Sequence, residues 1–192
     1  MLRTMEWLAR TMAIAGGLVL SAIVLLTCIS VIGRGFNTLG HSEFMTGFLP
    51  GFAAFLTGFG PVKGDFEIVE AGIAFAIFSF FPICQLHGGH ATVDVFTGML
   101  PAAVNRVIVA FWEVALAALL VLISWRLYEG LAGKYANGET TFLLQFPIWW
   151  AYAASFFASV TAVIVAVYCA FARVAGLVTG GHYMPRSEGP SH

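Results

Sequence analysis

Charge is what this sequence most lacks. Only 10% of its 192 residues are Asp, Glu, Lys or Arg, where a soluble domain carries about a quarter. A water-facing surface of ordinary charge density cannot be built from so few. With 59% hydrophobic residues and a mean hydropathy of +0.88, the chain reads as an integral membrane protein. Nine basic residues against ten acidic ones supply neither a basic patch for nucleic acid nor a polybasic tail for anionic lipid. Cysteine is equally scarce. Cys28, Cys84 and Cys169 lie singly in separate apolar segments, with no C-x-x-C pair, which favours apolar packing over a disulfide framework or a thiol redox centre. G-x-S-x-G, H-E-x-x-H and phosphate-binding loops are absent, so no catalytic residue and no enzyme activity is expected. His87 and His90 fall together at one helix end, and His41, His182 and His192 fall in loops or the tail. Metal or haem ligation needs side chains converging from different helices, so no metal site and no cofactor is expected.

What is present is four apolar runs of membrane length. They predict an all-α integral membrane protein of four transmembrane helices, with a short in-plane or re-entrant helix between the first and second. Residues 1–10 form an interfacial lead-in, and the uncharged run 11–33 is the first span, since crossing the hydrocarbon takes about 20 residues. A signal peptide is the competing reading. This run exceeds the usual h-region and has no clear small-x-small cleavage site before Arg34, so a retained helix is favoured. Gly17 and Ser21 offer it a close-approach face.

Residues 34–66 form the first loop. Within it Phe44, Phe48, Phe52, Phe55 and Phe59 recur at spacings of 4, 4, 3 and 4, which puts all five on one helical stripe. The segment 44–59 is too short to span. It reads as an amphipathic helix capped by Ser42, with Glu43 in its first turn and a bend at Pro50. The stripe either lies in the lipid interface or docks a partner subunit.

The second span, 67–87, opens with Glu67 and Glu70, has Gly72 and Ala76 as a close-approach pair, and is kinked by Pro82. A connection at 88–105 follows, in which Gly88 and Gly89 end the helix. His90 and Asp94, four residues apart, either hold one another locally or meet a partner's charge. The third span, 106–125, carries Glu113. An intramembrane carboxylate costs about 2.5 kcal/mol or more at the bilayer centre, so it must be protonated, wet or paired, either satisfied by a neighbouring helix or acting in a proton or ion relay. A polar loop at 126–146, with the Asn137-Gly138 turn signal, leads to a fourth span at 147–172. Pro147 stands at the start of that span, and Trp149, Trp150 and Tyr152 form an interfacial belt. Ala151, Ser155 and Ser159, with Ala154 and Ala158, mark it as a packing helix. Residues 173–192 form a tail expected to be disordered.

Basic residues barely fix the orientation. With the N-terminus inside, Arg3, Arg10, Arg106, Arg173 and Arg186 face Arg34, Lys63, Arg126 and Lys134 outside, five against four. No internal repeat of broken half-helices marks a self-contained transporter.

In the order of its motifs the chain resembles the small membrane subunit of tripartite ATP-independent periplasmic (TRAP) transporters. The resemblance rests on Arg34 closing the first helix, Glu67 opening the second, and Gly89-His90-x-x-Val93-Asp94 after it. Leu100-Pro101 before the third helix, and Gly138 followed by Pro147-Ile148-Trp149 and Tyr152, complete it. It covers roughly residues 10–172. Two departures stand out: Leu86 and His87 occupy positions where the family often has basic residues, and the first loop is longer than usual.

The resemblance implies a bacterial inner-membrane protein with both termini cytoplasmic. Its implied role is a non-catalytic scaffold for a large permease subunit, in sodium-coupled uptake of an organic acid delivered by a periplasmic substrate-binding protein. The candidate partner-contact residues are then Arg34, Phe48, Phe52, Phe55, Glu67, Glu70, Gly89, His90, Asp94, Glu113, Pro147 and Trp149, with Lys63 or Arg34 as available partners for Glu67 and Glu70. Segment 44–59 would extend the surface near the docked binding protein. The alternatives are a membrane anchor of an electron-transfer complex and a stand-alone channel or small transporter.

Overall fold

The computed structural model describes residues 2–87 and 102–179. Among these the secondary structure is helical, with a single isolated bridge between Thr140 and Pro147. Six helices follow in order: α1 (Leu2–Gly40), α2 (Glu43–Phe48), α3 (Pro50–Thr57), α4 (Asp65–His87), α5 (Ala102–Asn137) and α6 (Trp149–Thr179). The four long ones, α1, α4, α5 and α6, are long and apolar enough to cross a membrane, in agreement with the four spans expected.

Three helices run beyond the expected spans, α6 continuing past residue 172 to Thr179. Helix α1 has 39 residues, about 58 Å at 1.5 Å per residue, and continues past Arg34 to Gly40. Helix α5 has 36 residues and takes up the first half of the expected loop. Arg126 pairs with Glu129 one turn on, at 2.8 Å, and the helix stops only at Gly138, where φ is +62° and glycine supplies the left-handed turn that ends it. Hydropathy marks where the hydrocarbon ends; helical hydrogen bonding need not stop there.

The Phe-striped segment is two helices rather than one. Ser42 caps α2, accepting the Met45 amide at 3.4 Å. Pro50 has no amide to donate, so the chain breaks at Leu49 (φ −141°, ψ 68°) and restarts with Pro50 in the first turn of α3. Pro82, by contrast, lies within α4 without ending it.

The long helices touch in the order α1, α4, α6, α5. Helix α6 is the centre of the bundle: half of its most apolar window is buried within the protein, against 17% for α1 and α4. Small residues make this possible. Ser155, Ala158, Ser159, Ala162, Ala166 and Cys169 on α6 are all buried, and Cys169 packs with Ala9, Leu86 and Val165 in one apolar cluster. A second cluster joins Ala117 and Leu120 of α5 to Ala166 and Ala170. Between α1 and α4 the approach is closer still. A Cβ on Gly16 would lie 2.6 Å from the Ser79 Cβ, and one on Gly72 would lie 2.5 Å from the Ile23 Cδ1. Gly72 and Ala76 thus face α1 as expected, whereas Gly16, one position before Gly17, makes the contact from the other side.

Most of the remaining apolar surface is open, including Trp7, Leu18, Leu25 and Ile29 on α1 and Phe111, Trp112 and Leu122 on α5. In a bilayer such faces meet lipid or another chain.

Candidate functional site

Polar groups are rare in these spans, so those present show where the helices are tied. They collect at two levels. Twenty residues separate Asp65 from Gln85 along α4, about 30 Å of helix, which matches the thickness of the hydrocarbon.

At one level Glu113 of α5 is buried, with 7% of its surface exposed. The Gln85 side chain of α4 donates a hydrogen bond to its Oε2, and the Arg173 Nε of α6 stands 3.5 Å from its Oε1. Three helices therefore meet on one carboxylate. The Arg173 Nε is buried without a hydrogen bond, so its tie to Glu113 is an ion pair alone. Of the options for Glu113, the structure supplies pairing, from two neighbouring helices. Arg173, assigned to the tail by sequence, is instead a helical residue that reaches back into the bundle. A second, weaker tie joins α5 to α6 midway, Ser124 Oγ to Ser159 Oγ at 3.1 Å.

At the other level Asp65 begins α4. Its carboxylate accepts a hydrogen bond from Ser30 Oγ and another from its neighbour's amide, Phe66, at 2.8 Å, and Arg34 lies 3.6 Å away. Arg34 thus pairs with Asp65, a residue the sequence reading passed over, and not with Glu67 or Glu70. The signal was available: Asp65 is the first of the acidic residues that lead into the second apolar run, where a helix N-terminus favours a carboxylate. Glu67 has a different task. Its two oxygens accept the backbone amides of Leu143 and Leu144 at 2.6 and 2.9 Å, so α4 holds the loop between α5 and α6.

That loop is itself tightly folded. The Thr141 amide donates to the Phe146 carbonyl at 2.9 Å and the Ile148 amide to the Glu139 carbonyl at 3.0 Å. Gln145 takes up φ +56°, an uncommon conformation for a residue with a Cβ, while its side-chain amide donates to the Phe142 carbonyl at 2.9 Å. Gly64 and Leu144 are in contact, and Gly64 has φ +74°, so glycine is required there on both counts. Lys134 donates to Glu139 across the end of α5. This contact holds the Glu139 carboxyl below the ordinary carboxylate range, helped by the Asn137 side-chain amide. Pro147 precedes α6, with its carbonyl accepting the Trp150 amide at 3.2 Å. The Trp149 ring lies edge-on to Tyr135 and to Trp150, with centroids 5.5 and 6.1 Å apart.

The remaining candidates lie outward. Phe52, Phe55 and Phe59 are exposed, and with Phe36 they form a chain of ring contacts: Phe52 to Phe55 at 6.3 Å, Phe55 to Phe59 at 5.2 Å, and Phe59 to Phe36 at 5.9 Å. This lobe is fastened to α1 by backbone proximity. A Cβ on Gly40 would meet the Thr57 amide at 2.9 Å and the Ala53 carbonyl at 3.0 Å, and the Asn37 side chain donates to the Thr57 carbonyl at 3.1 Å. Phe48 ends α2. Glu70 is exposed on α4. Gly88, Gly89, His90, Asp94 and Pro101 and the tail from Gly180 lie outside the described residues, as does the side chain of Phe48.

Four membrane-length helices tied at two levels by internal polar contacts define a multi-pass membrane protein. The chain matches the family model for the DctQ component of tripartite ATP-independent periplasmic transporters over residues 23–176, and it belongs to that family. It is accordingly a small membrane component of a TRAP transporter, as the motif order suggested. No curated protein and no solved structure matches it.

Proposed function

We propose that the chain acts without chemistry of its own, as a rigid scaffold that holds a large permease subunit in the bacterial inner membrane. The permease moves an organic acid, delivered by a periplasmic substrate-binding protein, together with sodium ions. The observation that carries this reading is the internal closure of the buried carboxylate. Glu113 is tied to Gln85 and Arg173 on two other helices, an arrangement suited to fixing helix positions. Membership in the DctQ family supplies the transporter.

In this reading both termini face the cytoplasm. The level of Asp65, Glu67 and the Phe lobe is periplasmic, and the level of Glu113 is cytoplasmic. Arg34, Glu67, Glu113, Pro147 and Trp149 then shape the subunit rather than touch its partner, because each is engaged within the chain or precedes a helix start. The outward candidates Phe52, Phe55 and Glu70 remain for contact, with Phe48, Gly89, His90 and Asp94 beside them as sequence-based candidates.

Co-expression with the large subunit tests this. The tagged chain is expected to bring the large subunit with it in mild detergent, and its deletion to abolish uptake. A chain that purifies alone, and whose loss leaves uptake intact, overturns the assignment.

A further inference from the structure

Four carboxylates lie in or at the start of the apolar stretches of α4 and α5 up to mid-membrane: Asp65, Glu67, Glu70 and Glu113. Three are satisfied by this chain. Asp65 has Ser30, Arg34 and an amide; Glu67 has two loop amides; Glu113 has Gln85 and Arg173. Glu70 is the exception. It is exposed, and among the described residues no ion pair or side-chain hydrogen bond reaches it. Five residues beyond Asp65, it lies about 7 Å further into the hydrocarbon.

Its surroundings on the outer face are apolar. Phe66, Ile73 and Ile77 fall at helical spacing around it and are 74%, 44% and 52% exposed. This face points away from α1, which packs on the Gly72 and Ala76 side of α4. A carboxylate at this depth against acyl chains is costly, because lipid tails offer neither hydration nor a counter-charge. A cation of another chain standing opposite offsets much of that cost.

We propose that Glu70, framed by Phe66, Ile73 and Ile77, is a docking face for a transmembrane helix of the larger membrane subunit that carries a Lys or Arg at the same depth. The inference rests on the scaffold reading above and adds to it a location and a charge sign. Apolar neighbours supply the packing area, while the single charge fixes the register, since a one-turn slip of the partner helix moves the cation about 5 Å away.

The test uses the chain co-expressed with its large subunit. Glu70→Lys is expected to lower the co-purified large subunit at least about tenfold while leaving the amount of this chain in the membrane unchanged. Glu70→Gln should give a smaller loss, because it can still accept a hydrogen bond. A photo-crosslinking residue at Ile73, one turn further along the same face, is expected to give an adduct between the two subunits. If Glu70→Lys co-purifies like wild type, or if the Ile73 probe labels lipid alone while the wild-type complex is intact, this inference is wrong and the scaffold reading stands. If the wild-type chain fails to retain the large subunit at all, both readings fall together.

Discussion

The Glu113 carboxylate of α5 and the Arg173 guanidinium of α6 face one another at 3.5 Å, 60 residues apart in sequence and on opposite sides of the α5 to α6 connection. Their separation in the chain and their contact in space make them a clamp on α5 and α6. Gln85 extends the clamp to α4.

Breaking the clamp on one side is expected to be costly. Arg173→Met leaves a buried carboxylate with only an amide for company, and Glu113→Leu leaves a buried Nε facing apolar atoms. Each should destabilise the chain by about 3 kcal/mol. The double substitution should recover much of that loss, because an apolar pair of similar volume removes both desolvation costs at once. Thermal unfolding of the four proteins in detergent measures the cycle, and additive losses would show that the two side chains do not interact.

Glu67→Gln should loosen the loop without unfolding the bundle. The variant replaces a charged acceptor of two amides with a neutral group that can present one oxygen, at an expected cost of about 1 to 2 kcal/mol. Hydrogen exchange at Leu143 and Leu144 should accelerate, while exchange in the centre of α6 stays at the wild-type rate.

Gly16→Val should separate α1 from α4. A Cβ alone would stand 2.6 Å from the Ser79 Cβ, and the two further methyl carbons have no space to enter, so a loss of about 2 kcal/mol or more is expected. Gly47→Ala, where nothing lies within 4 Å of the added Cβ, is the control and should leave the melting temperature near wild type.

The loop has a pH limit. The Glu139 carboxyl is held below its ordinary value of 4.5 by the Lys134 hydrogen bond, so the folded loop favours the ionised form. The contribution is complete above the unfolded value and is lost as pH falls through the lowered folded value. Loop protection from exchange should therefore be constant from neutral pH down to about 5 and decline below 4. Glu139→Gln should reduce that decline, leaving the part that comes from the Glu67 carboxylate on the Leu143 and Leu144 amides.

Replacing Phe52, Phe55 and Phe59 together with Ser tests the exposed ring chain. The substitutions leave the Gly40 and Asn37 contacts of α3 in place. The variant is therefore expected to fold with wild-type helicity but to lose large-subunit retention or uptake. Unchanged retention and uptake would assign the rings to the lipid interface.

Much of this arrangement could be read from the sequence because it depends on local chemistry. Four apolar runs gave four spans and Ser42 capped its helix, whereas Pro50, expected as a bend, divides the striped segment in two, and Gly138, expected as a turn within a loop, stands where α5 ends. What could not be read depends on contacts across the chain. Arg34 was matched with Glu67 or Glu70 because they open the apolar run, yet Asp65 is the residue that comes within reach when α1 and α4 pack through Gly16 and Gly72. Glu113 announced a need for partners but not their identity. Gln85 drew no expectation from the sequence and Arg173 fell at the start of the tail, and only the lateral order of helices brings both to one carboxylate. Helix ends were hidden for another reason. Hydropathy reports the edge of the hydrocarbon, and α1 and α5 continue past it on ordinary helical propensity.

The placement of ties at two levels limits how this chain can move. Sliding α4 along α6 by a single residue shifts it about 1.5 Å, enough to pull Glu67 off the Leu143 and Leu144 amides at one membrane face and Gln85 off Glu113 at the other in the same step. The two sets of contacts oppose shear of α4 against α5 and α6 in both directions. On the scaffold reading proposed above, a partner that changes shape during a transport cycle would find in this chain a fixed wall to move against.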